Sequence, residues 1–202
     1  MTADHYFTAE PGSAARATDV TFHVAGRDYR LAAASGVFSA GRLDPGTAVL
    51  LRKADLPDRT TTGALLDLGC GYGPIACVLA AEAPEATVHA VDVNARARDL
   101  TAANAGALDL RVRVSAPDDV PDDVTFAQIW SNPPTHVGKA GLYALLDRWL
   151  SRLADDGVAW LVINRNLGGD SLHSRLLGQG WHVERTASQK GFRVLRVTRK
   201  MS

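Results

Sequence analysis

Five residues, Gly69-Cys70-Gly71-Tyr72-Gly73, link a run with strand character, Ala64-Leu65-Leu66-Asp67-Leu68, to a segment that opens on Pro74 and reads as a helix to Ala83. Three alternating glycines let the backbone turn sharply and leave room for a ligand against the main chain. A link of this kind belongs between a strand and a helix packed side by side, the repeating unit of an α/β domain. The rest of the chain keeps that alternation. Thr87–Val91, Leu110–Val114, Thr125–Trp130 and Gly157–Ile163 read as strands and Ala95–Ala107 as a helix. Leu142, Leu145, Leu146, Trp149, Leu150 and Leu153 form an amphipathic helical stripe that belongs to the core. A short helix over Ser171–Leu177 and two strands, Trp181–Arg185 and Phe192–Val197, around a Ser188–Gly191 turn complete the chain. The expected fold is an α/β domain with a mostly parallel sheet covered by helices on both faces. Upstream, Val20–Val24 and Tyr29–Ala32 flank Ala25-Gly26-Arg27-Asp28 as a hairpin.

With 202 residues, 46% of them hydrophobic and 22% charged, the chain fills one core and is too short for two ordinary enzyme domains. Residues 1–46 are expected to form an N-terminal hairpin extension and lid, with His5, Tyr6 and Phe7 able to fold over a site or to fray, and residues 47–202 the main domain. The 22 basic and 22 acidic residues exclude a uniformly basic nucleic-acid coat, so an anionic partner requires a local patch. Arg185 to Lys200 supplies one, with six Lys or Arg and no Asp or Glu. Two readings are open there: contacts to RNA phosphates, or a solvated edge strand protected by charge. Asp118, Asp119, Asp122 and Asp123 read as a solvated acidic loop rather than a metal site. Only two cysteines, Cys70 and Cys77, fit a reducing, cytoplasmic setting. No apolar run approaches the ~20 residues that cross a bilayer, so no membrane association is expected.

The glycine link lacks the third glycine of the dinucleotide GxGxxG pattern and the Lys-Ser/Thr of a phosphate loop, which lowers both nucleotide readings. Asp92 ends the second strand about 20 residues beyond the link, where a carboxylate can accept from both hydroxyls of a ribose. Asp67 offers an acceptor for an ammonium group. Together they suit a ligand with a ribose and a cationic amino-acid end; the bland alternative is a tight turn with Asp67 and Asp92 capping helices. At the end of the fourth strand stands Asn132-Pro133-Pro134. Two prolines hold the chain extended and donate nothing, leaving the Asn132 side-chain oxygen and the Pro133 carbonyl as two fixed acceptors. These match the two hydrogens of a planar NH₂ group, whose lone pair they would orient toward an electrophile. The alternative is a strand stopped by Pro-Pro, with Asn132 making a local turn bond.

These residues resemble a family. Gly36-Val37-Phe38-Ser39, Leu43-Asp44-Pro45-Gly46-Thr47, Asp67–Pro74, Val91-Asp92-Val93-Asn94, Ser131–His136 and Lys190–Val194 are similar to segments of class I S-adenosylmethionine-dependent methyltransferases, specifically the small methyltransferase domain group that includes RsmC- and RlmG-type ribosomal-RNA guanine-N2 methyltransferases. The resemblance implies a Rossmann-like, seven-stranded sheet whose last strand is antiparallel, over residues 47–202. It implies S-adenosylmethionine held by Asp67, Gly69, Cys70, Gly71, Gly73, Asp92, Val93 and Asn132, with Asp118 the candidate acceptor for the adenine amine. Asn132 and Pro133 are the implied catalytic pair, with Phe38, Pro134, Thr135 and His136 on the substrate side and no metal. Thr135 stands where many such enzymes carry a stacking aromatic, which leaves Phe38 or Tyr72 to supply a flat face. His136 is either a proton acceptor or substrate-orienting group, or a plain loop histidine. The expected activity is methyl transfer to an exocyclic amine, foremost guanine N2 of ribosomal or other structured RNA. A protein glutamine or small-molecule amine is the alternative acceptor, and a donor-binding module without catalysis the alternative class.

Overall fold

The computed structural model describes residues 17–34, 42–134 and 137–200. Phe38, Thr135, His136 and the expected lid residues His5, Tyr6 and Phe7 lie outside them. A hairpin, β1 (Ala17–Val24) and β2 (Arg27–Ala34), precedes α1 (Pro45–Lys53). Then follow β3 (Ala64–Leu68), α2 (Pro74–Glu82), β4 (Thr87–Val91), α3 (Ala95–Ala107), β5 (Val112–Ser115) and β6 (Phe126–Ser131). After these come α4 (Gly138–Leu150), β7 (Leu153–Asn164), α5 (Gly169–Gly178), β8 (Trp181–Gln189) and β9 (Phe192–Arg199). Seven strands form one sheet in the order β5-β4-β3-β6-β7-β9-β8. β3 to β7 run parallel, and β9 is antiparallel to both neighbours, as expected of the last strand.

The period-2 alternation of the buried strands divides the core into two apolar layers. Leu65, Val88, Trp130 and Val162 face α1, α2 and α3, where the hairpin residues Val20, Tyr29 and Leu31 join the same layer. Leu66, Val91, Ile129 and Leu161 face the other way, against Leu142, Leu146 and Trp149 of α4 and Leu172 and Leu176 of α5. The packing therefore runs without a break across position 46. Leu153, counted in the helical stripe by its spacing, is the first residue of β7; it is buried all the same. The hairpin turn is tighter than its sequence suggests. Ala25 and Gly26 alone make it, both at positive φ, and Arg27 and Asp28 already belong to the β2 ladder.

α1 has no counterpart in the expected elements. Its signal is Asp44-Pro45: Asp44 accepts from the Thr47 amide as N-cap, and Pro45 occupies the first turn, where no N–H is needed. Gly46 is required by packing, since a Cβ there would lie 2.9 Å from the Phe192 ring. The helix start is thus seated on β9. Among the described residues no helix is long and apolar enough to cross a membrane.

Candidate active site

The glycine link and the Asn-Pro-Pro segment meet at the carboxyl edge of the parallel strands, where open α/β sheets hold ligands. β3 and β6 are direct neighbours, with Leu68 opposite Ser131, and the Ser131 hydroxyl donates to the Leu68 carbonyl at 2.8 Å. Gly69, Gly71 and Gly73 all take positive φ, which an L side chain resists. Their surroundings differ. A Cβ on Gly73 would meet Thr101 at 2.9 Å, whereas one on Gly69 would meet nothing within 4 Å. Gly73 serves the packing of link on helix; Gly69 leaves open space over its backbone.

Gly69 separates two hollows. One, of about 300 Å³, is lined by Leu68, Val91, Asp92, Val93, Pro117 and Pro134 together with the start of α4. Val93 and Val137, two of the three large apolar side chains exposed among the described residues, line it. Exposed apolar walls beside one carboxylate suit a flat ring attached to a polyhydroxylated sugar. The other hollow is narrower and is bounded by Asp44, Thr47, Cys70, Tyr72, Ile75 and Asn132.

Asp92 is buried and oriented by two amides: Gly71 N–H donates to Oδ2 at 3.0 Å and Asn94 N–H to Oδ1 at 2.9 Å. Asp67 is fully buried at the end of β3. Its Oδ2 accepts from Ala76 N–H at 2.9 Å, capping α2, while Oδ1 has no partner among the described residues. Burial pushes the Asp67 carboxyl up to about 8, and the nearby Asp92 adds to the rise. The Tyr72 hydroxyl is likewise buried without a partner among the described residues. Helix capping and a ligand role are thus compatible in Asp67, one oxygen for each.

Asn132 Nδ2 donates to Asp44 Oδ1 at 2.7 Å and to Thr47 Oγ1 at 3.1 Å. Both hydrogens of its amide are engaged, so its Oδ1 is what remains for a ligand. Two further polar residues escaped the sequence reading because their partners are distant in the chain. Thr101 donates to the Gly71 carbonyl at 3.0 Å. Asn104 Nδ2 donates to the carbonyls of Tyr72, at 2.8 Å, and Ala32, at 2.9 Å, while its Oδ1 accepts from Ala32 N–H at 2.8 Å. Threonine and asparagine in the middle of a helix were the available signal, since such residues need a reason to be there.

Three expectations change. Asp118 does not line either hollow; its carboxylate is exposed and pairs with Arg148 at 2.8 Å. Tyr72 offers no stacking face, because its ring is part of the core. The basic edge is half neutralised, by three carboxylates. Arg193 and Arg185 face Asp170, Arg196 pairs with Glu184 and Arg199 with Asp155, so four of its six cations are answered by carboxylates from other elements. Cys70 and Cys77 are both buried. Among the described residues no three His, Cys, Asp or Glu side chains gather to hold a metal ion.

The model of the methyltransferase small domain matches residues 28–196. This chain belongs to the small methyltransferase domain family. YbxB of Bacillus subtilis is 30% identical over 198 residues, covering 96% of this chain and 98% of that protein. Ribosomal RNA small subunit methyltransferase C of Stutzerimonas stutzeri is 34% identical over 197 residues, covering 95% of this chain and 57% of that one. The solved T. thermophilus 16S rRNA N2 G1207 methyltransferase RsmC, in complex with AdoMet and guanosine, superposes with a TM-score of 0.77 at 25% identity, covering 95% of this chain and 52% of that one. The chain thus spans nearly all of YbxB but about half the length of the RsmC relatives. The family is one of methyltransferase domains, and the solved RsmC relative holds AdoMet. The residues present fit that group: an unpartnered buried carboxylate oxygen on Asp67, open space over Gly69, and an apolar hollow with Asp92 in its wall.

Proposed function

We propose that this methyltransferase modifies an exocyclic amine, foremost N2 of guanine in ribosomal RNA. The observation that carries the reading is the Asn132 amide, tied by both its hydrogens to α1 so that it meets a ligand as an acceptor. S-adenosylmethionine supplies, when bound, an electrophilic methyl group. The chain's own residues do the rest. Asp67 and Gly69 hold the amino-acid end, Asp92 the ribose, and Val93 and Pro117 the adenine faces. Asn132 Oδ1 and the Pro133 carbonyl accept the two N–H hydrogens of the target amine, drawing its lone pair out of conjugation and aiming it. Pro134, with Phe38, Thr135 and His136, makes the substrate side. Similarity to the RsmC methyltransferases supports the choice of guanine in ribosomal RNA.

RNA phosphates would be met at the mouth of the site more than along the C-terminal edge. Arg42 before α1, Lys139 in the first turn of α4 and Arg165 after β7 are exposed at the carboxyl ends of the strands. Because four cations of the C-terminal edge are internally paired, a second reading is kept: methylation of a protein glutamine amide or a small amine, whose NH₂ the same acceptors fit.

Ribosomal RNA and protein extract from cells lacking the gene, each incubated with methyl-labelled S-adenosylmethionine, separate the two. Label on guanine N2 supports the first reading, and label in protein alone overturns it. Asn132→Ala should abolish turnover while donor affinity changes less than about threefold, because the lost bonds serve the amine. Loss of donor binding with unchanged turnover per complex would refute the assigned role.

A further inference from the structure

We propose that Asp44 is a positioning residue that sets which way round the Asn132 amide stands, and so makes it an acceptor. This rests on the reading of Asn132 given above. An asparagine amide is nearly symmetric in shape, and rotation by half a turn exchanges its acceptor for two donors. Presented with Nδ2 foremost, Asn132 would oppose the N–H hydrogens of an amine with hydrogens of its own. A carboxylate accepts only. Asp44 Oδ1, 2.7 Å from Asn132 Nδ2, therefore admits one orientation and rejects the other. Thr47 Oγ1 takes the second hydrogen at 3.1 Å.

Asp44 is itself held. The same Oδ1 accepts from Thr47 N–H at 2.9 Å, an N-cap bond that ties the side chain to the first turn of α1. That turn is pressed on β9, where Gly46 leaves no space beside the Phe192 ring. Asp44-Pro45-Gly46-Thr47 and Lys190-Gly191-Phe192 thus act on the site together: β9 seats the helix start, the helix start fixes Asp44, and Asp44 orients Asn132.

Asp44→Ser separates this role from helix capping. Serine caps as well as aspartate does, but it is too short to serve Asn132 at the same time. Asp44→Asn keeps size and capping and offers a neutral acceptor. Two measurements on the full chain decide. The first is the side-chain ¹H–¹⁵N pair of Asn132, assigned by its absence in Asn132→Ala. In the parent it should be shifted downfield and slow to exchange, in Asp44→Ser it should move to free-amide positions, and in Asp44→Asn it should be intermediate. The second is methylation of ribosomal RNA from cells lacking the gene. There kcat of Asp44→Ser should fall about 10- to 100-fold, the loss of one charge-assisted hydrogen bond, with donor KM and Tm little changed. Asp44→Asn should recover part of that loss.

An Asn132 amide pair unmoved by Asp44→Ser overturns the proposal, as does an unchanged kcat in that variant. Full turnover in Asn132→Ala would instead refute the reading of the site, and the amide spectrum alone would then decide whether Asp44 orients Asn132.

Discussion

Asn104 is the residue whose removal should be felt farthest from its own position. It lies in α3, buried, and its amide completes three backbone groups: Ala32 N–H, Ala32 C=O and Tyr72 C=O. On one edge β2 pairs with β1; on the other, at Ala32, the Asn104 side chain plays the part of a neighbouring strand. A hairpin of two strands is marginal without such support. Asn104→Ala deletes three hydrogen bonds at about 1 kcal/mol net apiece and strands buried backbone groups, a loss of about 3–4 kcal/mol. For a domain of this size that corresponds to a fall in Tm of roughly 6–16 °C. Urea unfolding gives the free energy, and hydrogen exchange at the Ala32 amide gives its location. Because the Tyr72 carbonyl belongs to the glycine link, donor affinity should weaken too, and calorimetric titration reads that. A variant within about 0.5 kcal/mol of the parent, the scale of ordinary surface substitutions, would refute the reasoning. So would a large loss of stability with the Ala32 amide as protected as before.

Two glycines of one link should fail differently. Gly73→Ala forces a Cβ to 2.9 Å from Thr101 at a positive φ and should cost more than the ~1–2 kcal/mol of left-handed strain alone, seen as lowered Tm. Gly69→Ala meets no neighbour, so its Tm should fall by that strain only, while S-adenosylmethionine binding, measured by calorimetry, is lost; equal Tm losses in the two variants would contradict the assignment. Asp67 supplies a pH test. Its folded carboxyl is raised from 3.8 to about 8, so the folded chain keeps a proton that the unfolded chain releases, and stability is lost as pH rises through that interval. Asp67→Asn should therefore gain on the parent between pH 5 and pH 9 in urea unfolding, and a constant difference at the two pH values would count against a raised carboxyl.

The strands were legible as buried runs such as Ala64–Leu68 and α4 by the stripe from Leu142 to Leu150 on its core face, whereas α2 and α3 have no such stripe and were marked by Pro74 and by their place between strands. α1 was not, because it has only nine residues and its buried face includes Gly46 and Thr47, which do not read as an apolar stripe beside Leu50 and Leu51. The three glycines, Asp67, Asp92 and Asn132 stand together at one edge because chain order places each at the end of a neighbouring parallel strand. What holds them was invisible. Asp44 and Asn132 are 88 residues apart and Asn104 and Ala32 are 72 apart, and no local window joins such pairs. The charge count was misled by its window, since Asp155, Asp170 and Glu184 answer the basic edge from outside the 185–200 segment, Glu184 from the position just before it.

Reversal of a single strand has a consequence for how this enzyme can change. Because β9 runs against β7, the β8–β9 turn returns to the carboxyl edge, where the Gly191 carbonyl accepts from Arg165 N–H at 2.8 Å. Lys190 and Gly191 make that turn on the far side of the sheet from Val93 and Pro117. Lengthening a surface turn costs little, each doubling of a loop adding about 0.6 kcal/mol. Insertions there would reach an incoming substrate while leaving the glycine link and its bracing untouched, so acceptor preference can drift across descendants of this chain without any renegotiation of the methyl donor.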